Sequence, residues 1–172
     1  IIHIDIDPSE LDKIKTAHVG IAGDVRTVLE MLLPALAVVE RDDWLARVAS
    51  LKAAQPLRTP GIDDPRTPYG LIRAVADCLD DAATITTDVG QHQMWVAQAY
   101  PLRRPRQWLT SGGLGTMGFG MPAAIGAALA EPERTVVCFT GDGSILMNIQ
   151  ELVTAAEENV NVKIVLMDNA SL

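Results

Sequence analysis

Basic residues are scarce in this chain. Its 172 residues include 14 Lys and Arg against 22 Asp and Glu, a formal charge of −8. That balance argues against a nucleic-acid binder, whose footprint is a basic patch or stripe. The densest basic stretch, PLRRPRQW at 101–108, is short and broken by prolines. It reads as a solvated loop, because gripping phosphate draws on several clustered Lys and Arg. Cysteine is nearly absent: Cys78 and Cys138 lie in apolar sequence with no metal-type spacing. Two buried thiols in a reducing cytosol is the expectation, which excludes a disulfide framework. Long apolar runs are missing too. The longest, MLLPALAVV, stops far short of the roughly 20 residues that span a bilayer, and Pro34 interrupts it. No secretory leader and no solenoid repeat are apparent. With 48% hydrophobic and 21% charged residues, what is left is a globular, cytoplasmic protein. The chain opens at Ile1 in strand-like sequence and stops at Asn169-Ala-Ser-Leu172, and so reads as a segment of something longer.

The organisation is strand and helix in alternation. IIHIDI (1–6) and HVGIAGDV (18–25) read as strands, the first followed by a short helix from Pro8 and the second by the amphipathic VRTVLEMLL. DDWLARVASLKAA (42–54) predicts a helix with Trp44, Leu45, Val48 and Leu51 on one face. PLRTPGIDDPRTP (56–68), rich in proline, marks a boundary. The expected division is 1–40 as the end of one α/β domain, 41–68 as a linker with a helix, and 69–172 as the start of another. In the last, helices YGLIRAVADCLDD, QHQMWVAQAY, GMPAAIGAALA and SILMNIQELVTAAEENV alternate with strands ATITTDVG, RQWLTS, ERTVVCFTGD and NVKIVLMDN. Buried apolar strands spaced by helices predict an α/β fold, a parallel sheet with helices on both faces.

In such sheets ligands bind beyond the carboxyl ends of the strands. Three strands end in TTDVGQHQ, LTSGGLGTMG and CFTGDGS, each with glycines that let a backbone approach a ligand closely. At GDGS a helix start offers free N–H groups suited to an anion. Asp142 in that place would repel the anion unless a cation lies between them, which points to a divalent metal bridging a phosphate or diphosphate. Oxygen ligands favour Mg²⁺ or Ca²⁺. Asn169 follows the next strand and would sit near Asp142 in a parallel sheet. Gly-Asp-Gly alone is also what a helix cap on a polar loop looks like.

GDGS at 141–144, then helix, strand and Asn169, resembles the motif of thiamine diphosphate enzymes that begins with GDG and ends with Asn-Asn. The resemblance implies Mg²⁺ held by Asp142, Asn169 and the Ser171 carbonyl against the cofactor's diphosphate. Asp168 departs from it, standing where the family usually has Asn. The run from TTDVGQHQMW through 169 resembles the large (catalytic) subunits of the acetolactate synthases, with GQHQMW its most specific stretch. By that resemblance Val89, Gly90, Gln91 and His92 line the diphosphate and reaction pocket. Gly115 would offer its carbonyl to the aminopyrimidine, Met117 would wedge under the bent cofactor, and Gly143 and Ser144 would donate to the diphosphate. Taken singly, Met117 is a core filler, His92 a helix-start histidine, and Gln91 and Gln93 solvated; Trp95 and Trp108 are core or interface candidates.

Residues 1–25 are similar to the end of that family's central domain, which binds FAD. Asp5, Ile6, Asp24 and Val25 stand at the corresponding strand ends, although relatives without FAD keep the same strand. The implied activity is decarboxylation of pyruvate on thiamine diphosphate and transfer of its two-carbon unit to a second 2-ketoacid, pyruvate or 2-ketobutyrate, in branched-chain amino-acid biosynthesis. A homodimer or larger assembly with a small regulatory subunit is implied as well. The glutamate that engages the aminopyrimidine comes from another domain in this family, so no catalytic residue is assigned here and the chain alone is expected to be inactive. Glyoxylate carboligase, pyruvate oxidase and a non-catalytic flavin- or nucleotide-binding module are the alternatives.

Overall fold

The computed structural model describes residues 1–169, and divides into two compact units, Ile1–Gln55 and Pro56–Leu172. In the first, β1 (Ile2–Asp5) and β2 (Val19–Ala22) pair in parallel, with Asp5 opposite Ala22. A 3-10 turn at Pro8–Glu10, capped by the Asp7 side chain, takes the place of the expected short helix. Helices α1 (Val25–Leu32) and α2 (Asp42–Ala54) follow. The α2 segment, read from sequence as part of a linker, falls inside this unit. Its apolar face is not covered: Trp44 and Leu45 are each 62% exposed. Residues 1–55 contain no fully buried side chain.

The second unit holds the sheet that matters for function. Its helices and strands are α3 (Pro68–Asp77), β3 (Thr84–Thr87), α4 (Gln91–Ala99), β4 (Trp108–Thr110), α5 (Gly120–Ala130), β5 (Val136–Gly141), α6 (Asp142–Met147), α7 (Glu151–Glu157) and β6 (Val162–Met167). The four strands are all parallel in the order β4-β3-β5-β6. Alternation along β5 builds two cores. Val137 and Phe139 join Ile72, Ile85, Val96 and Tyr100 under α3 and α4, while Val136 and Cys138 meet Ala124 and Ala128 of α5 on the opposite face. Small residues on α5 let that helix lie close to the sheet. Helices therefore cover both faces, as the sequence pattern predicts.

From β3 the chain steps outward to β4, then crosses back so that β5 and β6 extend the sheet the other way. The reversal leaves a topological switch point between β3 and β5, the position where open α/β sheets form their ligand crevice.

Four expectations are corrected. Cys78 is exposed and only Cys138 is buried: Cys78 is the C-cap of α3, where the chain leaves the helix. The helix expected across 144–160 breaks at Asn148, whose backbone leaves helical geometry at φ −138° and ψ 36°. Strand β6 is a sheet edge with Leu166 50% exposed, not a buried strand. The basic stretch is partly structural: the Arg104 guanidinium donates to the Asp81 carbonyl at 2.9 Å and the Ala82 carbonyl at 2.6 Å, bracing the turn into β3.

Candidate functional site

Parallel pairing brings every strand end to one rim. Thr87 pairs with both Phe139 and Thr110, and Gly141 pairs with Met167. The turns 88–90, 111–119, 141–144 and 168–169 therefore lie along the same edge of the sheet. Two of them touch across the switch point. The Ser144 hydroxyl donates to the Val89 carbonyl at 2.8 Å, joining the β5–α6 turn to the β3–α4 turn. The buried Ser144 hydroxyl is thus engaged within the protein.

His92 is wedged in the same place. It is 4% exposed, and β-carbons built at Gly90 and Gly141 would come within 2.9 and 3.1 Å of its ring. Only backbone without side chains lets the imidazole fit there. Its Nε2 is buried with no hydrogen-bond partner among the described residues. An orphaned polar atom of that kind costs about 1–3 kcal/mol, and such atoms call for an explanation such as a bound group. Burial pushes the His92 pKa below its ordinary value, against the opposing pull of the nearby Asp88 and Asp142 carboxylates.

Asp142 is the first residue of α6, following the extended Gly141. Gly141 and Met167 pair at the carboxyl ends of β5 and β6, and Asp142 and Asp168 are the residues that follow them, with Asn169 one residue further. Asp142 and Asn169 therefore both follow the carboxyl ends of adjacent parallel strands. Asp168 and Asn169 also line a cleft of about 240 Å³ with Arg66 and Trp95. Ser171, the third expected ligand, lies outside the described residues. Gln91, Gly115 and Met117 are all on the exposed side of this rim, Met117 at 37%.

Sequence reasoning missed three features. Gln93 is not solvated: its amide donates to Thr110 Oγ1 at 2.7 Å, in a network where Thr87 Oγ1 also donates to Thr110 Oγ1 and Trp108 Nε1 donates to Thr87 Oγ1. Asp88, passed over as the last residue before a turn, is 1% exposed and accepts three backbone N–H bonds, from Val89, Gly118 and Gly120. Asn148, read as a helix interior residue, donates to the Gly118 carbonyl at 2.7 Å. The available signal for Asp88 was a carboxylate at a strand end with no basic neighbour in sequence.

In the first unit, Asp5 and Asp24 have local partners. Asp5 Oδ1 accepts from the Asp7 amide at 2.9 Å, and Asp24 caps α1 by accepting from the Thr27 amide at 3.0 Å. Ile6 and Val25 beside them are 75% and 54% exposed.

The rim described here coincides with a known domain. Residues 88–172 match the family described as "Thiamine pyrophosphate enzyme, C-terminal TPP binding domain". The whole chain is 62% identical over 172 residues to the acetolactate synthase isozyme 1 large subunit of Escherichia coli (strain K12). It is 46% identical over 176 residues to acetolactate synthase 2, chloroplastic, of Brassica napus, and 45% over 179 residues to the isozyme 3 large subunit of E. coli. All of this chain is covered in each case, against 31%, 28% and 31% of those proteins, so the chain spans less than a third of their length. The chain belongs to the thiamine diphosphate enzyme family, and along its whole length it is similar to the large subunits of acetolactate synthase.

Proposed function

We propose that this chain is the part of an acetolactate synthase large subunit that anchors the diphosphate of thiamine diphosphate, and that the parent protein condenses pyruvate with a second 2-ketoacid, pyruvate or 2-ketobutyrate. The observation that carries the reading is the meeting of the 88–92 and 141–144 turns at the switch point, in a chain whose residues 88–172 match the thiamine pyrophosphate-binding domain. The donor set fits such a group. Asp142 and Asn169 supply hard oxygens for Mg²⁺, and the buried His92 stands at the same rim, between Gly90 and Gly141. The amides of Gly143 and Ser144 would face an anion without losing the Ser144–Val89 link.

Thiamine diphosphate supplies the electron sink that lets a 2-ketoacid lose CO₂. The chain's own residues bind and orient. Asp142 and Asn169 would hold the Mg²⁺ whose charge offsets the diphosphate, Val89 to His92 would wall the diphosphate, and Gly115 and Met117 would face the rings. We also propose FAD at Asp5, Ile6, Asp24 and Val25, at the ends of two paired strands, and a cytoplasmic homo-oligomer with a small regulatory subunit. Among the described residues no helix is long and apolar enough to cross a membrane.

The test is product analysis of the full-length parent with pyruvate, Mg²⁺ and thiamine diphosphate. Acetolactate is expected; peroxide, or tartronate semialdehyde from glyoxylate, in its place would reject the assignment. Flavin absorbance of the purified protein checks the FAD proposal separately.

A further inference from the structure

Gly118 is gripped from two sides. Its N–H donates to Asp88 Oδ1 at 2.8 Å, and its carbonyl accepts from Asn148 Nδ2 at 2.7 Å. Asp88 lies just past β3 and Asn148 just past α6, so one residue of the glycine-rich loop is pinned, through both of its flanking peptide groups, between the two elements that border the switch point. Its conformation leaves no room for another residue. At φ +87° Gly118 is left-handed, and an added β-carbon would stand 2.8 Å from Asn148 Nδ2 and 3.0 Å from Met147 Cβ. Gly120 is seated just as closely, since a β-carbon there would fall 2.6 Å from the Asp88 amide nitrogen.

The grip explains two costs. A carboxylate that is 1% exposed is expensive unless hydrogen-bonded, and Asp88 accepts from three backbone amides, two of them from the 118–120 segment. The break between α6 and α7 forfeits helical hydrogen bonds, and it is where Asn148 turns to reach Gly118. Neither expense benefits the cores, because neither residue packs in the two apolar clusters.

We propose that Asp88 and Asn148 are positioning residues, a two-sided latch that holds the 115–118 segment in fixed register with the Asp142 turn. Through it Met117 and Gly115 travel with α6, so the groups facing the cofactor rings and those holding its diphosphate move as one body. The latch is a property of the polypeptide alone; its consequence for cofactor binding rests on the function proposed above. Loosening it leaves the ligand to order the loop, and that cost appears in affinity.

The experiment uses the full-length parent and the variants Asn148→Ala, Asp88→Asn and the double variant. Amide hydrogen exchange at Gly118 and Gly120 without cofactor reads the latch directly. Losing one such bond predicts exchange faster by about fivefold in Asn148→Ala, with the amides of β3 and β5 unchanged and the melting temperature nearly so. Effects in the double variant are expected to fall short of additive, since both residues act on one glycine. With Mg²⁺, the dissociation constant for thiamine diphosphate is expected to rise by about fivefold while turnover at saturation is kept. Unchanged exchange at Gly118, or exchange that rises equally throughout β3 and β5, overturns the latch. Faster exchange with unaltered cofactor affinity overturns its role in binding. A wild-type protein that binds no thiamine diphosphate refutes the functional reading and this binding role together, while the exchange data still decide the latch.

Discussion

At the residue scale, buried polar side chains without a packing purpose mark the site. Gly118 shows how strict the local geometry is. Gly118→Ala forces a side chain into a left-handed backbone against Asn148 and Met147, and is expected to cost about 1–3 kcal/mol, measured by denaturant unfolding. An unchanged midpoint would mean the loop has another way to sit. The two cysteines give an independent check. Burial, helped by the Asp88 charge and opposed by a Thr86 hydrogen bond, pushes the Cys138 thiol up to about 11. The folded state therefore keeps the proton that the unfolded chain gives up near its ordinary value of 9.0. Stability from this group is complete below pH 9 and falls as pH rises toward 11, by at most about 1.4 kcal/mol per pH unit. Cys138→Ala should flatten that alkaline slope. In a thiol titration of the native protein near pH 8, Cys78 should react and Cys138 only on unfolding; two fast thiols would contradict the burial of Cys138.

Elements were legible wherever their signal was local. The helix at 120–130 follows from its run of small residues, and β3 and β5 follow from β-branched and apolar runs bounded by glycine. The rim was legible too, because GDGS and GQHQMW place glycines and polar residues at strand ends. What the sequence hid was the cost of long-range bonds. Nothing local in SILMNIQELVTAAEENV says that Asn148 will leave the helix for Gly118, a partner 30 positions away. The Gln93–Thr110–Thr87 network joins residues that only the β3–β4 pairing brings together. Cys78 was misjudged because helical periodicity does not say which side of the last turn meets the sheet. Packing of β5 can be probed by Phe139→Ala: with Phe139 fully buried against Tyr100, the loss is expected to be about 3–5 kcal/mol, read by thermal or denaturant unfolding.

For the whole molecule, the two units differ in how much they can hold together alone. The core clusters lie entirely in the second unit, while the first offers two strands and no fully buried residue. The stretch after Gln55 is exposed and proline-rich, and Arg58 within it is accessible. Brief trypsin treatment of the chain is expected to cut at Arg58 and leave a C-terminal piece in which Cys138 stays protected. Rapid digestion of that piece would show that its sheet depends on residues 1–55. Charge frames the proposed site at this scale as well: in a chain of net −8, an anionic diphosphate beside Asp142 would need a cation between them. The decisive measurement is calorimetric titration of thiamine diphosphate into the full-length parent, with and without Mg²⁺, for wild type and Asp142→Ala. Metal-dependent binding in wild type that is lost in Asp142→Ala is the predicted result; equal affinity in both proteins would contradict the account.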